Sequence, residues 1–149
     1  MKKELEKKLF ENYPGIFRQK DLPATHTAMC WGIACGDGWY DIIDTLCSNI
    51  KHRTSCQNGK SPNEEYVVEA VQVKEKFGGL RFYVTGGDSY INGLVSMAES
   101  MSYRVCEECG SPGKANKKGW IKTLCEPCRE KMAEIREKRF KEAMKKNEH

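Results

Sequence analysis

Long hydrophobic runs are missing from this sequence of 149 residues. A helix needs about 20 consecutive apolar residues to cross a bilayer, and no run approaches that length. The opening residues, Met1 to Glu6, also lack the apolar region that follows the lysines of a signal peptide. These absences argue against a membrane protein and against export. We therefore expect a cytoplasmic protein in a reducing compartment.

Catalytic motifs are also missing. The sequence contains no Walker phosphate-binding loop, no nucleophile elbow and no His-Glu-x2-His pattern. Only three histidines could act as bases near neutral pH, and His26, close to Cys30 and Asp37, is the best candidate. A small enzyme that uses His26 or Asp37 is the weaker hypothesis. We predict that the protein is not an enzyme and acts by binding.

Cysteine is plentiful, with eight residues. Disulfides are rare in reducing compartments, so regularly spaced cysteines there are more often metal ligands. The spacing Cys106-x2-Cys109-x15-Cys125-x2-Cys128 is typical of a four-cysteine zinc site. Because four thiolates complete the tetrahedron and leave no place for water, we predict a structural rather than a catalytic zinc ion.

The other four cysteines follow no common ligand spacing, and we interpret them as buried thiols. A second metal site that includes His26 or His52 is the alternative. These cysteines are Cys30, Cys35, Cys47 and Cys56.

Apolar residues at steps of three and four predict three helices before the zinc ligands. Asp37 and Asp88 each precede such a pattern and are expected to cap the helix that follows. The predicted helices span residues 2–13, 37–53 and 88–103. Irregular structure is predicted for residues 15–36, and a polar loop for residues 54–64.

A β-hairpin is predicted from Tyr66–Phe77 and Leu80–Thr85, with Gly78-Gly79 as the two-residue turn. If Phe77 faces Leu80, Lys76 lies opposite Arg81. Val71 and Phe77 then share the apolar face with the other hydrophobic residues of the two strands.

The polar face of this hairpin brings like charges together. Lys76 opposite Arg81, with Lys74 opposite Tyr83, costs free energy unless an anion offsets the repulsion. That anion is either a ligand, such as nucleic acid or a nucleotide, or an acidic side chain of the same chain. Our preferred hypothesis is that these four residues bind an anionic ligand.

The segment from Cys30 to Tyr40 combines two tryptophans with three glycines beside a predicted helix start. Trp31 and Trp39 could stack a nucleotide base while the free N–H groups of the helix bind its phosphate. They could also dock on another protein. The alternative is that the tryptophans belong to the core and the glycines allow two backbones to approach.

The last 39 residues, 111–149, hold twelve Lys or Arg and six Glu, whereas the rest of the chain is slightly acidic. A long charged helix is predicted from Glu126 to about Lys146. Such a basic segment attracts phosphate-bearing partners or simply forms a solvated face. A zinc knuckle, a returning strand at residues 120–124 and this helix would resemble a treble-clef zinc finger.

Three strings carry a resemblance to a known family. They are Ala28-Met29-Cys30-Trp31-Gly32, Cys35-Gly36-Asp37-Gly38-Trp39-Tyr40 and Gln72-Val73-Lys74-Glu75-Lys76-Phe77-Gly78-Gly79-Leu80-Arg81-Phe82-Tyr83. With the cysteine pairs after Tyr103, they resemble a family of small uncharacterised bacteriophage and prophage proteins. The resemblance implies expression in the cytosol of a bacterial host, where such accessory proteins often act on host processes or defences. It brings no established activity.

Together these patterns predict an α+β fold. A small antiparallel sheet packed against helices would occupy residues 1–103. A treble-clef-like zinc module with a basic helix would occupy residues 104–149. The predicted function is non-catalytic binding of nucleic acid or a nucleotide, and docking on a host protein is the alternative.

Overall fold

The computed structural model describes residues 1–60, 65–116 and 119–146, and it confirms the α+β class. Its helices are α1 (Lys3–Asn12), α2 (Tyr40–Asn58), α3 (Ser89–Ser102) and α4 (Glu126–Lys146). Its strands are β1 (Ile33–Ala34), β2 (Val68–Lys76), β3 (Gly79–Gly86), β4 (Lys114–Ala115) and β5 (Thr123–Leu124). None of the helices in the described ranges has the length and hydrophobicity needed to span a membrane.

One hydrophobic core lies between α1, α2, α3 and one face of the larger sheet. This sheet has the order β1-β2-β3, and β1 runs parallel to β2. The predicted sheet was purely antiparallel, so the short parallel strand is a correction. The largest fully buried side chains of this core include Leu9, Phe17, Met29, Trp39, Ile43, Ile50, Val73, Leu80, Phe82 and Ile91.

A buried carboxylate holds β1 in place. Glu6 is 6% exposed, and its Oε1 accepts the Ile33 N–H at 2.6 Å. Gly32 lies directly against this carboxylate with a φ of 75°, and a Cβ there would come within 3.0 Å of Glu6 Oε1. Only glycine satisfies both requirements, which explains its place before the strand.

The hairpin turn is one residue earlier than predicted. Phe77 and Gly78 have φ values of 52° and 76°, which is the pair of positive angles that a type I′ turn requires. Lys74 therefore lies opposite Arg81, and Lys76 lies opposite Gly79. Gly79 belongs to β3, and glycine is favoured there because a Cβ would come within 3.0 Å of the Tyr103 ring. The predicted register was wrong because this glycine serves packing and not the turn.

The apolar face of the hairpin also differs from the prediction. A bulge between Ala70 and Gln72 interrupts the alternation, so that Val71 is only half-buried. Phe77 lies at the tip of the turn and is 69% exposed. The buried residues of the face are Val68, Ala70, Val73, Leu80 and Phe82.

Helix α2 begins later and ends later than predicted. Residues Asp37–Trp39 form a 3-10 turn, and Asp37 does not cap the helix: it accepts the Lys2 N–H at 2.7 Å. The helix continues through residues 54–58, where a loop was predicted. Its polar end is held by the Asn58 side chain, which exchanges hydrogen bonds with the Tyr66 backbone. The rest of that predicted loop, 61–64, lies outside the described residues.

The predicted cap of α3 is confirmed. Asp88 Oδ1 accepts the Ile91 N–H at 3.0 Å, while Oδ2 pairs with Arg53 Nη2 at 2.6 Å. The same helix meets β3 through two hydrogen bonds. Leu80 N–H donates to Ser102 Oγ at 2.8 Å, and Phe82 N–H donates to Glu99 Oε1 at 3.0 Å.

The ion pair of Asp88 predicts a pH-dependent contribution to stability. Hydrogen bonds from Arg53 and from the Ile91 N–H lower the pKa of Asp88 from 3.8 to about 2. Because the folded state holds this carboxylate ionised, the contribution is complete above pH 3.8 and is lost as the pH falls towards about 2. We expect Asp88→Asn, which keeps a capping oxygen but removes the charge, to lower the free energy of unfolding at neutral pH.

Urea unfolding of both proteins between pH 7 and pH 2 measures this difference. It should shrink as Asp88 becomes protonated in the parent protein. Glu130→Gln on α4, an exposed residue without an ion pair in the described ranges, is the control for loss of one charge. A difference that stays constant over this range would contradict the prediction.

Candidate metal centre and the groove beside it

The four predicted zinc ligands come together. The Sγ atoms of Cys106, Cys109, Cys125 and Cys128 all lie within 4.8 Å of one another. Cys109 Sγ and Cys125 Sγ are 3.6 Å apart. A tetrahedron with metal–sulfur bonds of 2.3 Å has edges of about 3.8 Å, so the cluster has the dimensions of a metal centre.

Local backbone structure brings each pair of ligands into place. The first pair lies on a tight turn after α3, where Gly110 N–H donates to Cys106 O at 2.9 Å and Gly110 has a φ of 79°. The second pair brackets the start of α4, since Cys125 precedes the helix and Cys128 lies in its first turn. Strands β4 and β5 connect the two pairs. The returning strand is thus shorter than the predicted 120–124.

The thiols of the cluster and their neighbours shift one another's pKa values. Hydrogen bonds from the Ser111 hydroxyl and N–H lower the pKa of Cys109 to about 6. The neighbouring Cys125 thiol, followed by burial, raises the pKa of Cys128. Four thiolates this close repel one another unless a metal ion offsets their charge. An all-sulfur tetrahedral set suits zinc or iron.

The first ligand turn packs directly on the segment before α2. Gly38 N–H donates to Glu107 O at 2.7 Å, and Gly36 N–H donates to Glu107 Oε1 at 3.0 Å. A Cβ on Gly38 would come within 3.0 Å of Cys106 O. These glycines therefore allow two backbones to approach, as the alternative interpretation of this segment proposed.

The two tryptophans of that segment lie in different environments. Trp39 is fully buried, and its Nε1 donates to Val105 O at 2.9 Å, so it has no surface for a ligand. Trp31 is 69% exposed. The hypothesis that both indoles contact one ligand is therefore not supported, and only Trp31 remains available.

On the hairpin, the chain itself supplies a partner for Arg81. Its guanidinium donates to Tyr103 Oη at 2.9 Å and lies 4.0 Å from Glu99 Oε2. The predicted like-charge conflict is thus partly offset within the molecule. Lys76 and Tyr83 are exposed and Lys74 is half-buried, so a ligand role for these three residues stays a prediction.

Each of the two candidate catalytic residues has a polar partner within the chain. His26 is exposed, with Nδ1 3.1 Å from Thr25 Oγ1. Asp37 pairs with Lys2 Nζ at 2.9 Å. The hypothesis of a binding protein without catalytic activity stays a prediction.

The remaining cysteines form no second centre within the described ranges, where the C-terminal cluster is the one group of three or more candidate ligands. Cys35 and Cys47 are buried as predicted, and burial raises the pKa of Cys35 to about 12. Cys30 is half-buried. Cys56 is exposed, so the prediction of burial was wrong for it, and its Sγ lies 3.6 Å from His52 Nε2.

A groove beside the metal centre was missed at the level of sequence. It has a volume of about 630 Å³ and lies between the loop before β5 and one face of α4. Trp120, 79% exposed, forms part of its wall. The signal available in the sequence was a tryptophan inside a lysine-rich segment. The groove residues on α4 include Arg129, Met132, Ile135, Arg136 and Arg139.

The cationic side chains of this groove differ in whether they have partners within the chain. Lys122 Nζ is paired with Glu107 at 3.2 Å and with Glu108 at 3.6 Å. Arg129 Nη2 donates to Lys114 O at 2.7 Å. Arg136 and Arg139, by contrast, are exposed and form no ion pair with the part of the chain that the structure describes. They are the cations most available to a ligand.

Comparison of the chain with protein-family models, with curated proteins and with solved structures found no match.

The geometry of the cluster predicts one metal ion per chain. We expect elemental analysis of the purified protein to find stoichiometric zinc, and Cys109→Ser to reduce that content. Because the side chains of α4 from Glu130 to Met144 are exposed, a chelator should unfold this region and lower the thermal midpoint. Cys56→Ser, which changes an exposed cysteine outside the cluster, is the control. Metal-free protein with an unchanged thermal midpoint would contradict the prediction.

The contact at Gly38 predicts a cost for a single methyl group. Gly38→Ala should lower the free energy of unfolding by at least about 1–3 kcal/mol, because the clash is with backbone that cannot move without displacing two metal ligands. Urea unfolding measures this. Gly93→Ala is the matched control: it lies within α3 with nothing near its Cβ, and should stabilise by about 0.5–1 kcal/mol. Equal stability of the two variants would refute the role of the contact.

Proposed function

We propose that this chain is a zinc-binding protein that binds nucleic acid, without catalysis, through its zinc module and α4. The supporting observation is an exposed cationic helix whose first turn carries a metal ligand and whose Arg136 and Arg139 lie open to solvent. Nucleic acid is the partner whose charge density best complements such a helix.

The charge of α4 supports a phosphate ligand. Between Glu126 and Lys146 the helix has eight Lys or Arg and five Glu. Glu137, which lies between Arg136 and Arg139 in the sequence, pairs with Lys141 at 2.6 Å and with neither arginine. A guanidinium group can donate two parallel hydrogen bonds to a phosphate, which makes Arg136 and Arg139 better phosphate ligands than lysines would be.

The metal gives this surface its position. Side chains of α4 from Glu130 to Met144 are all exposed, so packing does not hold the helix. Cys128 and the adjacent Cys125 instead fix its first turn through the metal. We propose zinc as the metal and a treble-clef-like arrangement of ligand turn, two-stranded hairpin and helix. The zinc ion is structural in this proposal.

The β2–β3 hairpin lies beside the zinc module and supplies further basic residues to the proposal. Its turn contacts the zinc module, where Thr123 Oγ1 donates to Gly78 O at 2.6 Å. Lys76, beside that turn, is exposed, and its Nζ lies 5.5 Å from the Phe77 ring centroid. Lys74 and Tyr83 follow along the polar face. They are secondary contacts in the proposal, and Arg81 contributes less because it has partners of its own.

A protein-docking role is the second candidate, in keeping with the resemblance to phage accessory proteins. It is favoured by an apolar groove of about 180 Å³ between α2 and α3, where Met97 and Met101 are exposed. The exposed Trp31 is a further apolar surface. This candidate predicts binding that does not depend on the arginines of α4.

Removal of the two free arginines tests the proposal. We expect Arg136→Gln with Arg139→Gln to weaken nucleic-acid binding and to reduce the slope of log K against log salt. The reduction should be about 1.4 for single strands or about 1.8 for duplex, if each arginine neutralises one phosphate. Fluorescence anisotropy at several salt concentrations measures both quantities.

The control variant also removes two positive charges, but from another helix. Lys7→Gln with Lys8→Gln removes two exposed cations from α1 and should leave the slope nearly unchanged. Zinc content and helical circular dichroism establish that each variant is folded. Equal effects of the two double variants, or no nucleic-acid binding by the parent protein, would contradict the proposal and favour the docking role.

A further inference from the structure

We infer that the groove between Trp120 and α4 binds single-stranded nucleic acid, with an unpaired base stacked on the Trp120 indole and the backbone held by Arg136 and Arg139. This inference rests on the proposed function and adds the form of the nucleic acid and the residue that selects it.

The exposure of Trp120 is the first observation. Large aromatic side chains normally bury most of their surface, yet this indole is 79% exposed at the mouth of a groove. Packing therefore does not explain its presence. Stacking on an unpaired base is a sequence-tolerant use of an exposed indole, because every base has a π face.

The loop that carries Trp120 is braced. Asn116 Oδ1 accepts the Lys122 N–H at 2.6 Å, and Asn116 Nδ2 donates to Trp120 O at 3.1 Å. Lys122 is held in turn by the buried Glu107, which hydrogen-bonds to Gly36. Hydrogen bonds thus hold the backbone of Trp120 and Lys122 on each side of Ile121, which reduces the entropy lost when a ligand binds.

The chemistry of the groove matches a single strand. Met132 and Ile135 provide an apolar surface, while Arg136 and Arg139 lie on the same helix within one or two turns. The volume of about 630 Å³ lies within the range of about 300–1,000 Å³ found for ligand sites. The one acidic lining residue, Glu108, lies 3.6 Å from Lys122 Nζ, and this ion pair offsets part of its charge.

A duplex fits this arrangement less well. In duplex DNA or RNA the faces of the bases are covered by their neighbours in the stack, so only phosphates and groove edges are accessible. A duplex could contact the arginines but would leave the indole and the apolar surface unused. Selectivity for single strands should therefore depend on Trp120, whereas general affinity should depend on the arginines.

The test compares oligothymidylate of about 16 nucleotides with a duplex of equal length, using the full chain with zinc bound. We expect the single strand to bind more tightly. Trp120→Ala should weaken single-strand binding by about 5- to 150-fold, the range for loss of one stacked base, and leave duplex binding nearly unchanged. Trp120→Phe should retain most of the affinity, because it keeps an aromatic face.

Trp31→Ala is the matched control, since it removes the other strongly exposed indole at 69% exposure. It should leave single-strand affinity unchanged. If Trp120→Ala weakens binding no more than Trp31→Ala, or if duplex binds as tightly as the single strand, the inference is wrong. Continued sensitivity to the arginine pair would then leave the proposed function standing. If neither nucleic acid binds, both proposals fail.

Discussion

The backbone of the first ligand turn lies directly against Gly38, and the two ends of the fold meet at this contact. On one side are Cys106, Cys109 and Gly110, whose backbone atoms surround the position of a Cβ on Gly38. On the other is Trp39, a fully buried core residue whose indole N–H is satisfied by Val105 O. The indole N–H of Trp39 and the adjacent Gly38 therefore contact the same short stretch of backbone, which carries the two candidate metal ligands Cys106 and Cys109. Displacement of either side exposes unsatisfied groups on the other.

The metal centre and the groove have different physical origins. The cysteine cluster could hold a metal ion, and in the proposed function that ion offsets the charge of four thiolates and fixes the start of α4. The groove follows from the position of α4 relative to Trp120. Since the rest of α4 is solvent-exposed, its geometry depends on the centre more than on hydrophobic packing. In the proposed function, the metal positions the binding surface without contacting the ligand.

Features that depend on neighbouring residues were predictable from the sequence. The cysteine pairs, the Asp88 cap and the extent of α1 each follow from spacing or capping within one turn of chain. The hairpin register was not predictable in this way, because Gly79 packs against Tyr103, which is more than twenty residues away. Asp37 likewise had the pattern of a helix cap but is engaged by Lys2. The groove at Trp120 was missed for a related reason: the exposure of a side chain depends on how distant elements pack.

The hydrogen bonds from α3 to β3 also affect how the molecule meets copies of itself. The outer strand of a sheet normally presents free amides to which another chain can add a strand. Here Ser102 and Glu99 occupy the amides of Leu80 and Phe82. The opposite margin of the sheet is β1, only two residues long. The part of β3 nearest the turn is therefore closed to strand addition, and the short β1 offers little backbone for pairing at the other margin.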